Sequence, residues 1–411
     1  MVKRLYVWGS GGSGQLGLHN NDDYALPQRW ENNQIQLESI ISGGCHSAGT
    51  LVKQEICKSL NASLVFEGID SNGHLFLWGS NDRGQLGQTL SKQKFSNFLQ
   101  NSVAWIPREN KTKFVACGWR STLAVASSNN EEDQVYSWGS NEYHQLGRVQ
   151  NATEISAQIC CLPLHFQVTS IACGWKHSLL ATSDGVVFAW GSGRHGQLGL
   201  GTDIDETETP KHIQALTDIA ITHVFCGWEH SVFSSSSGEI FTCGNNRHGQ
   251  LGVTKKIDSR VSKGLRKQII SSPVRVADPQ DKSRNLRAVH VGCGWHFVMC
   301  VAETGELVTW GKGSHGQLGL GTLENVCEPK VVPFSHPIRQ ITCGSEHSMV
   351  VTTCGDMYTC GWGEHGNLGH GDTINRALFK RVEFFSSINQ EVISIAAGGA
   401  VSIAVTRTRR R

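Results

Sequence analysis

The chain has few prolines, little excess charge and no long apolar run. Nine prolines in 411 residues exclude a collagen-like or linker-rich protein, and a formal net charge of +2 argues against wholesale binding to nucleic acid. No stretch approaches the ~20 apolar residues of a membrane-spanning helix. The N-terminus lacks the apolar region of about 7–15 residues that a secretory signal needs. We therefore expect a soluble intracellular protein without membrane contact, whose 14 cysteines are reduced thiols.

Glycine, in contrast, is abundant, with 46 residues, and much of it belongs to a repeated motif. The motif reads Trp-Gly-x4-Gly-Gln-Leu-Gly, and its Leu and final Gly are kept in all seven copies. The copies start at Trp8, Trp78, Trp138, Trp190, Cys243, Trp310 and Cys360. Repeats at this spacing indicate one small structural unit that is stacked several times.

A second motif, Cys-Gly-Trp-x-His-Ser, alternates with the first. Its seven copies have His46, Ser121, His177, His230, Phe297, His347 and Val401 at the histidine position. A short apolar run, a turn and a β-rich run follow, as in the stretch from Ser178 through Asp184-Gly185 to Trp190. Alternating apolar residues around Asp-Gly predict a β-hairpin. Each repeat is therefore expected to form a small antiparallel sheet that buries its faces only by radial stacking.

The order of the repeats predicts how the ring closes. The chain opens on a strand ending at Trp8-Gly9 and ends on the complementary half, Val392–Val405. If these halves pair, no sheet edge is left open. We expect an all-β, seven-bladed propeller over residues 1–405, closed by pairing of its N- and C-terminal strands, with a basic tail at 406–411.

The two alternating motifs resemble the repeats of the regulator-of-chromosome-condensation (RCC) family over nearly the whole chain. The last copy, with Gly361-Trp-Gly-Glu-His-Gly366, is similar to the fungal alpha-tubulin suppressor and secretion-regulating guanine nucleotide exchange factor subfamily. This resemblance implies a subunit that binds a small zinc protein of diphthamide synthesis and of the Elongator tRNA-modifying complex, in the cytoplasm and nucleus. The founding member instead exchanges nucleotide on the Ran GTPase and docks on chromatin through a basic N-terminal tail. The first strand here starts near residue 4, so direct DNA binding is not expected.

Four copies of the first motif also match the dinucleotide fingerprint Gly-x-Gly-x-x-Gly. That fingerprint needs a helix directly after it, whose N-terminus binds the pyrophosphate. Here Gln-Leu-Gly and polar loop residues follow, so we interpret the glycines as turns and expect no nucleotide cofactor. Cys and His recur in equivalent slots of neighbouring blades, about 10 Å apart. Zinc needs ligands at about 2.0–2.3 Å, so no metal site is expected.

One residue slot of the second motif holds a tryptophan in four copies. Trp119, Trp175, Trp228 and Trp295 should form an arc around one face. The plant UV-B photoreceptor has tryptophans in a similar slot, within Gly-Trp-Arg-His-Thr, but no copy here keeps that whole sequence. Core packing or a binding surface is therefore the favoured interpretation, and photoreception is not.

The repeat is interrupted by a basic insertion at about 253–287. Ten Lys or Arg and three Asp give it a local charge of +7. A solvated loop and a docking site for an acidic partner both remain open.

No nucleophile–base or carboxylate pair emerges from the sequence, so no catalytic residue is assigned. We expect a non-enzymatic regulatory or scaffolding subunit, monomeric or heterodimeric, whose partner is a small zinc protein. The alternative is an exchange factor for a small Ran-like GTPase. The candidate partner-binding residues are Trp362, Glu364, His365, Lys255, Lys256, Arg260, Lys263 and Arg266.

Overall fold

The computed structural model of the chain consists almost entirely of short antiparallel strands. It describes residues 3–13, 15–18, 20–30, 37–42, 65–70, 75–80, 82–87, 95–96, 111–127, 133–149, 154–160, 162, 167–202, 204–254 and 268–409. The regular helices in these ranges are a 3₁₀ turn, Gln214–Leu216, and one α-helical turn, α1, Phe384–Ser387. Within the same ranges, no helix has the length and hydropathy needed to cross a bilayer.

Two N-terminal strands, β1 (Lys3–Gly9) and β2 (Tyr24–Trp30), precede six blades that are each continuous in sequence. Blade 1 is β3 (Leu37–Ser42), β4 (Val65–Asp70), β5 (Leu75–Ser80) and β6 (Phe95–Ser96). Blade 2 is β7 (Lys111–Cys117), β8 (Ser121–Ser127), β9 (Asp133–Gly139) and β10 (Glu154–Ile159). Blade 3 is β11 (Val168–Cys173), β12 (His177–Thr182), β13 (Val187–Ser192) and β14 (Glu206–His212).

The remaining continuous blades follow the same order. Blade 4 is β15 (Ile221–Cys226), β16 (His230–Ser235), β17 (Ile240–Asn245) and β18 (Ile269–Arg275). Blade 5 is β19 (Ala288–Cys293), β20 (Phe297–Ala302), β21 (Leu307–Gly311) and β22 (Val326–Val331). Blade 6 is β23 (Ile338–Cys343), β24 (His347–Thr352), β25 (Met357–Gly361) and β26 (Arg376–Arg381).

A composite closing sheet joins the two ends of the chain. It combines β27 (Gln390–Gly398) and β28 (Val401–Thr408) with the two N-terminal strands, in the order β2-β1-β28-β27. Strand β1 pairs with β28 along its whole length, from Lys3 opposite Arg407 to Gly9 opposite Val401. The expectation of seven blades, closed by pairing of the N- and C-terminal strands, is corrected accordingly: six blades are continuous in sequence, and each chain end contributes two strands to a composite closing sheet.

The first strand of each sheet lies toward the centre of the ring. Strand β27 contacts β23 on one side and β3 on the other, and β11 contacts both β7 and β15. Contacts between β15 and β19, β19 and β23, and β4 and β7 connect the remaining neighbours. Radial stacking buries the apolar faces of the sheets between neighbouring blades, as the repeat pattern predicts.

A carbonyl oxygen in each Gln-Leu-Gly turn connects one blade to the next. The main-chain oxygen of Gln145 in blade 2 accepts hydrogen bonds from Ser178 Oγ (2.8 Å) and Trp190 Nε1 (3.0 Å) of blade 3. Asn367 of blade 6 binds Ser402 Oγ (2.7 Å) and Trp8 Nε1 (2.9 Å) of the closing sheet in the same way. The two motifs therefore recur together because the donors come from one repeat and the acceptor from the previous one.

The glycine after Trp in the first motif is required by a close approach of two loops. Gly191 has φ of +98°, and a Cβ there would lie 2.4 Å from the main-chain oxygen of Lys176. A side chain at this position would be strained and would separate the two motif loops.

Two histidines of the second motif, His177 and His347, are buried and neutral. Nε2 of His177 lies 3.0 Å from Ser231 Oγ of the next blade, and Nε2 of His347 lies 3.0 Å from Ser402 Oγ. Burial lowers the pKa of each of these two imidazoles to about 3. Their role is therefore a hydrogen bond between blades, as the structural interpretation of these slots predicts.

Two predicted segment boundaries are wrong. Strand β28 continues to Thr408, so residues 406–408 belong to the closing sheet and not to a tail. The basic insertion is also shorter than 253–287, because Ile269–Arg275 is the outer strand of blade 4. Six residues separate Gly319 from β22, whereas sixteen separate Gly252 from β18. Most of the extra length thus precedes β18, at residues 253–268, and the connection from β18 to β19 is also longer than that from β22 to β23.

Deletion of residues 1–10 should destabilise or aggregate the protein, because it removes β1 from the middle of the closing sheet. The deletion leaves β28 and β2 without their shared neighbour and creates unpaired strand edges. Thermal melting and gel filtration of the deletion variant measure this. A monomer with an unchanged melting temperature would show that the closing sheet does not hold the ring together.

Acidification below about pH 6.5 should destabilise the fold through His177 and His347. Their folded pKa is depressed, so only the unfolded chain takes up these protons, and stability falls as pH drops from the ordinary pKa toward about 3. Each histidine contributes a slope of up to about 1.4 kcal/mol per pH unit in that window. Urea unfolding at several pH values should show a shallower slope for His347→Asn than for the unmodified chain. Equal slopes would contradict the buried neutral assignment.

Candidate protein-interaction face

The topology places both repeated motifs on one face of the ring, here called the mouth face. Strand β7 ends at Cys117 and β8 starts at Ser121, so the intervening Trp-containing loop lies at that end of the sheet. Strand β9 returns to the same end, where Ser140 N donates to Arg120 O over 2.7 Å. The hairpin turns, such as Asp184-Gly185, lie on the opposite face.

Four tryptophans meet at the centre of the mouth face. The ring centroids of Trp175 and Trp228 are 4.7 Å apart and nearly parallel, at 27°. Trp228 contacts Trp295 at 4.5 Å and Trp119 at 4.8 Å, both edge to face. All four side chains are partly exposed. The predicted arc is therefore a contiguous tryptophan cluster with a solvent-facing surface.

Main-chain hydrogen bonds between blades hold this cluster. Trp228 N donates to Trp295 O, and Trp295 N donates to Ser345 O, each over 3.0 Å. Ser345 N donates to Gly399 O over 3.0 Å. Serine and glycine replace tryptophan at this position in blade 6 and the closing sheet, and blades 2–5 supply the four tryptophans of the cluster.

The residue after each tryptophan position changes in charge from blade to blade. It is Arg120, Lys176, Glu229, His296 and Glu346 in blades 2 to 6. The Lys176 ammonium lies 3.6 Å from the centre of the Trp175 ring and 3.8 Å from that of Tyr143. Because the repeat fold does not require these differences, they give the mouth face a charge pattern of its own.

Glu346 is the centre of a largely buried polar cluster. Its carboxylate accepts a hydrogen bond from Lys312 Nζ at 2.7 Å and from Gln317 Nε2, and it lies 3.5 Å from His315 Nδ1. Burial alone would raise the pKa of this carboxyl, but the bonds from His315 and Lys312 outweigh burial and hold the pKa below its ordinary value. Glu346 is therefore ionised and fixed.

Two further histidines extend this cluster toward the tryptophans. The rings of His248 and His296 are 5.1 Å apart, and His296 lies 6.4 Å from Trp228. Burial lowers the pKa of His296 to about 4. Burial, and then the nearby cations Lys312 and Arg247, lower the pKa of His248. Both imidazoles are neutral near pH 7 and available as hydrogen-bonding groups.

The last-repeat residues predicted from the sequence lie on the mouth face beside this cluster. Trp362 is partly exposed, and its ring lies 5.0 Å from that of His365 and 6.4 Å from that of His315. Glu364 is exposed. His365 Nδ1 lies 2.6 Å from Asp23 Oδ2 of the closing sheet, so it also connects two sheets.

The basic candidates of the insertion lie outside the described residues. These are Lys255, Lys256, Arg260, Lys263 and Arg266. Only the base of the insertion is described. Asn246 holds both of its ends, because its N–H donates to Gln268 O at 2.6 Å and its Nδ2 donates to Val253 O at 3.1 Å. Strand β17 ends on the mouth face, so the insertion starts there.

The arginines at the C-terminus are partly used within the fold. Arg407 pairs with Glu391 of the neighbouring strand. Arg409 pairs with Asp356 of blade 6, which Arg381 also binds at 2.8 Å. The arginines that precede residue 410 thus reinforce the closing sheet.

The motif cysteines are structural thiols. Those in the slot before Gly-Trp, including Cys173, Cys226 and Cys293, are buried. Burial raises the pKa of the Cys226 thiol, and the neighbouring Cys173 raises it further, so it is not a reactive thiolate. Within the described ranges, no three His, Cys, Asp or Glu side chains are arranged to hold a metal ion.

The glycines of the dinucleotide-like fingerprint form turns. Gly196 N donates to Gly193 O at 2.7 Å, and Gly199 N donates to Gly196 O at 3.1 Å. Strand β14 follows this loop instead of a helix. The arrangement thus lacks the helix N-terminus that would bind a pyrophosphate.

Comparison with known families agrees with this geometry. The model of the RCC1-like domain matches residues 4–404. The chain belongs to the RCC1-like domain family. Sequence analysis therefore identified the correct family.

Among curated relatives, the Ultraviolet-B receptor UVR8 of Arabidopsis thaliana is 31% identical over 80% of the chain. The mouse secretion-regulating guanine nucleotide exchange factor is 29% identical over 77% of the chain. The chain spans 65% and 61% of the lengths of these two relatives.

Solved structures share the fold at lower identity. Human WBSCR16 superposes with a TM-score of 0.78 at 22% identity, with full coverage of both chains. Prp20p of Saccharomyces cerevisiae superposes with a TM-score of 0.78 at 20% identity, covering 99% of this chain and 92% of that one.

The purified protein should contain far less than stoichiometric zinc, because repeat-spaced Cys and His side chains do not converge. Elemental analysis after purification without chelator measures the zinc content. A stoichiometric zinc ion that survives gel filtration would contradict this prediction and locate a site outside the described ranges.

Proposed function

We propose that this RCC1-like propeller is a non-enzymatic regulatory or scaffolding subunit that binds a protein partner through its mouth face. The observation that carries the proposal is the partly exposed tryptophan cluster, surrounded by charged groups that differ from blade to blade. Tryptophan and arginine are enriched at the energetically dominant positions of interfaces, and a surrounding charge pattern selects the partner.

The more specific proposal is a small zinc protein that serves diphthamide synthesis and Elongator-dependent tRNA modification, in the cytoplasm and nucleus. Its support is the resemblance of the segment Gly361–Gly366 to the last repeat of the alpha-tubulin suppressor subfamily. Trp362 lies beside the Glu346 cluster, next to the His315 ring, and Glu364 is exposed. A one-to-one heterodimer is the expected assembly.

The second candidate is an exchange factor for a small Ran-like GTPase. It is favoured by the 29% identity to the secretion-regulating guanine nucleotide exchange factor. Such a protein needs no catalytic pair, because it acts by disturbing the phosphate and Mg²⁺ site of its GTPase.

Co-purification followed by mass spectrometry and reconstitution separates the two candidates. A small zinc protein that rebinds stoichiometrically supports the first. Accelerated release of fluorescent GDP from a purified Ran-like GTPase supports the second. If neither a protein partner nor exchange is found, the proposed function is wrong.

Trp362→Ala should weaken binding of the reconstituted partner by about tenfold or more. Its stability should change little, because the side chain is partly exposed and its ring lies at the surface against the rings of His315 and His365. Tyr358→Ala is the matched control, since Tyr358 lies near the start of β25, at the end of the strand away from the mouth face, and is also partly exposed. Calorimetry with parallel thermal melts measures both effects. Normal binding by Trp362→Ala, or loss that merely follows unfolding, would rule out the last-repeat site.

Combined Lys255→Glu, Lys256→Glu and Arg260→Glu should slow association with an acidic partner and reduce its salt dependence, while dissociation changes little. Surface kinetics at several ionic strengths measure the rates. An unchanged association rate would show that the insertion does not contribute to partner encounter.

A further inference from the structure

Three neighbouring blade boundaries on the mouth face repeat the same pair of side-chain positions. The first position is the histidine of the Gln-Leu-Gly turn, which in blades 3, 4 and 5 is His195, His248 and His315. The second position follows the motif tryptophan position in the next blade, and in blades 4, 5 and 6 it holds Glu229, His296 and Glu346. The three boundaries are therefore equivalent places in the repeat.

At the first and third of these boundaries, the chain itself supplies a carboxylate to the turn histidine. His195 Nδ1 lies 3.2 Å from Glu229 Oε1, and His315 Nδ1 lies 3.5 Å from Glu346 Oε2. The Glu229 carboxylate also accepts a hydrogen bond from Asn245 Nδ2 at 2.8 Å. This place in the repeat therefore accommodates a carboxylate beside an imidazole.

At the middle boundary, between blades 4 and 5, a histidine takes the place of the glutamate. The rings of His248 and His296 lie 5.1 Å apart, and within the described ranges no carboxylate is bonded to either ring. Asn325 Nδ2 lies 3.3 Å from His248 Nδ1. Because an amide nitrogen only donates, His248 Nδ1 is the acceptor and the ring proton is on Nε2. Nδ1 of His296 is buried and has no hydrogen-bond partner in the described part of the chain.

The charges around the middle boundary favour an anion. Burial is the first cause of the low pKa of both imidazoles, and among charged side chains Lys312 and Arg247 lower it further whereas Glu346 raises it. Two cations and one carboxylate leave one positive charge, and Glu346 is already bonded by Lys312 and Gln317. The Arg247 side chain is exposed and makes no hydrogen bond or ion pair with another described residue. One excess positive charge matches a carboxylate better than a phosphate group of about −2.

Aromatic surface lies on both sides of the middle boundary. Trp228 of the tryptophan cluster is 6.4 Å from His296, and Trp362 is 6.4 Å from His315 of the next boundary. Both tryptophans are partly exposed. A free anion would use only the polar groups, whereas a protein segment also contacts these rings. The surroundings therefore favour a side chain of a protein.

From this comparison of the three boundaries we propose that the middle boundary binds a carboxylate side chain, Asp or Glu, of the protein partner. The carboxylate takes the place that the glutamates hold at the two neighbouring boundaries. His248 donates its Nε2–H to the carboxylate, and Arg247 and Lys312 supply the positive charge. The inference rests on the proposed protein binding at the mouth face and names one group of the partner that this face recognises.

NMR of the chain with isotope-labelled histidine side chains tests this site without the partner. The probe is N-acetylglutamate α-amide, which carries one side-chain carboxylate, and N-acetylglutamine α-amide is its neutral control. At pH 7 we expect the probe to shift the signals of His248 and His296 saturably, and its binding to weaken with salt. The control should bind more weakly by about tenfold or more, because it lacks the charge-assisted hydrogen bonds. His248→Gln and His296→Gln assign the two signals, and inorganic phosphate tests for a general anion site.

Two variants of the site and one matched control follow from the repeat. Arg247→Ala should weaken binding of the probe by about tenfold. Arg194→Ala is the control, since Arg194 precedes the turn histidine of blade 3 and is exposed like Arg247, and it should bind the probe normally. His296→Glu places a carboxylate of the chain in the site, as Glu229 does in blade 4, and should prevent binding of the probe. Arg247→Ala and Arg194→Ala should melt like the unmodified chain.

Five outcomes would overturn the assignment: no shift of the His248 and His296 signals, equal binding of the glutamine control, tighter binding of inorganic phosphate, or normal probe binding by Arg247→Ala or by a folded His296→Glu. These results do not involve the partner, so they are distinct from the test of the proposed function, which is the effect of Trp362→Ala on the reconstituted partner. In that complex, Arg247→Ala should weaken binding and Arg194→Ala should not. An unchanged partner affinity in Arg247→Ala would overturn the inference even if Trp362→Ala weakens binding as proposed.

Discussion

The ring depends on a carbonyl oxygen that accepts two hydrogen bonds from the next blade. Gln85, Gln145 and Asn367 each bind an indole N–H together with a Thr or Ser hydroxyl. An unpaired buried carbonyl costs about 1–3 kcal/mol of folding free energy. The following repeat must therefore place a hydrogen-bond donor opposite this carbonyl. The main-chain oxygen of Asn367 joins blade 6 to the closing sheet in this way, because it binds Trp8 near the N-terminus and Ser402 near the C-terminus. The blade-to-blade hydrogen bonding therefore includes both ends of the chain.

This constraint explains which features could be predicted from the sequence. The Trp, Ser and Gln-Leu-Gly positions serve hydrogen bonds that recur from blade to blade, with Cys243 and Cys360 in place of Trp in blades 4 and 6. Their periodicity was therefore visible in the sequence, and the family assignment was correct. The meeting of the four tryptophans was not predictable from spacing, because it depends on the radius of the inner ring. The segment ends were wrong for a related reason. Strand β18 contains Ser-Ser-Pro and the end of β28 contains Thr-Arg-Thr, which resemble loop sequence, yet both segments pair as strands.

The proposed protein binding then depends on positions whose side chains the recurring hydrogen bonds do not specify. The position after each motif tryptophan varies from Arg120 to Glu346, and the recurring hydrogen bond there uses the main-chain oxygen, as in Ser140 N to Arg120 O and Trp362 N to Glu346 O. His365, in contrast, has a side chain that makes a contact within the fold. The sequence indicated a partner contact, and the structure places its imidazole against Asp23 of the closing sheet. The stronger candidates for partner contact are consequently Trp362, Glu364 and the tryptophan cluster. For the tryptophan cluster, sequence analysis alone did not distinguish core packing from a binding surface.

Hydrogen exchange of the chain with and without its reconstituted partner tests the central claim most directly. Partner contact at the mouth face predicts slowed exchange in the motif loops, such as residues 118–120, 174–176 and 361–366. The hairpin turns of the opposite face, such as residues 182–186, should exchange unchanged. Protection confined to those hairpin turns, with unaltered exchange in the motif loops, would contradict the account.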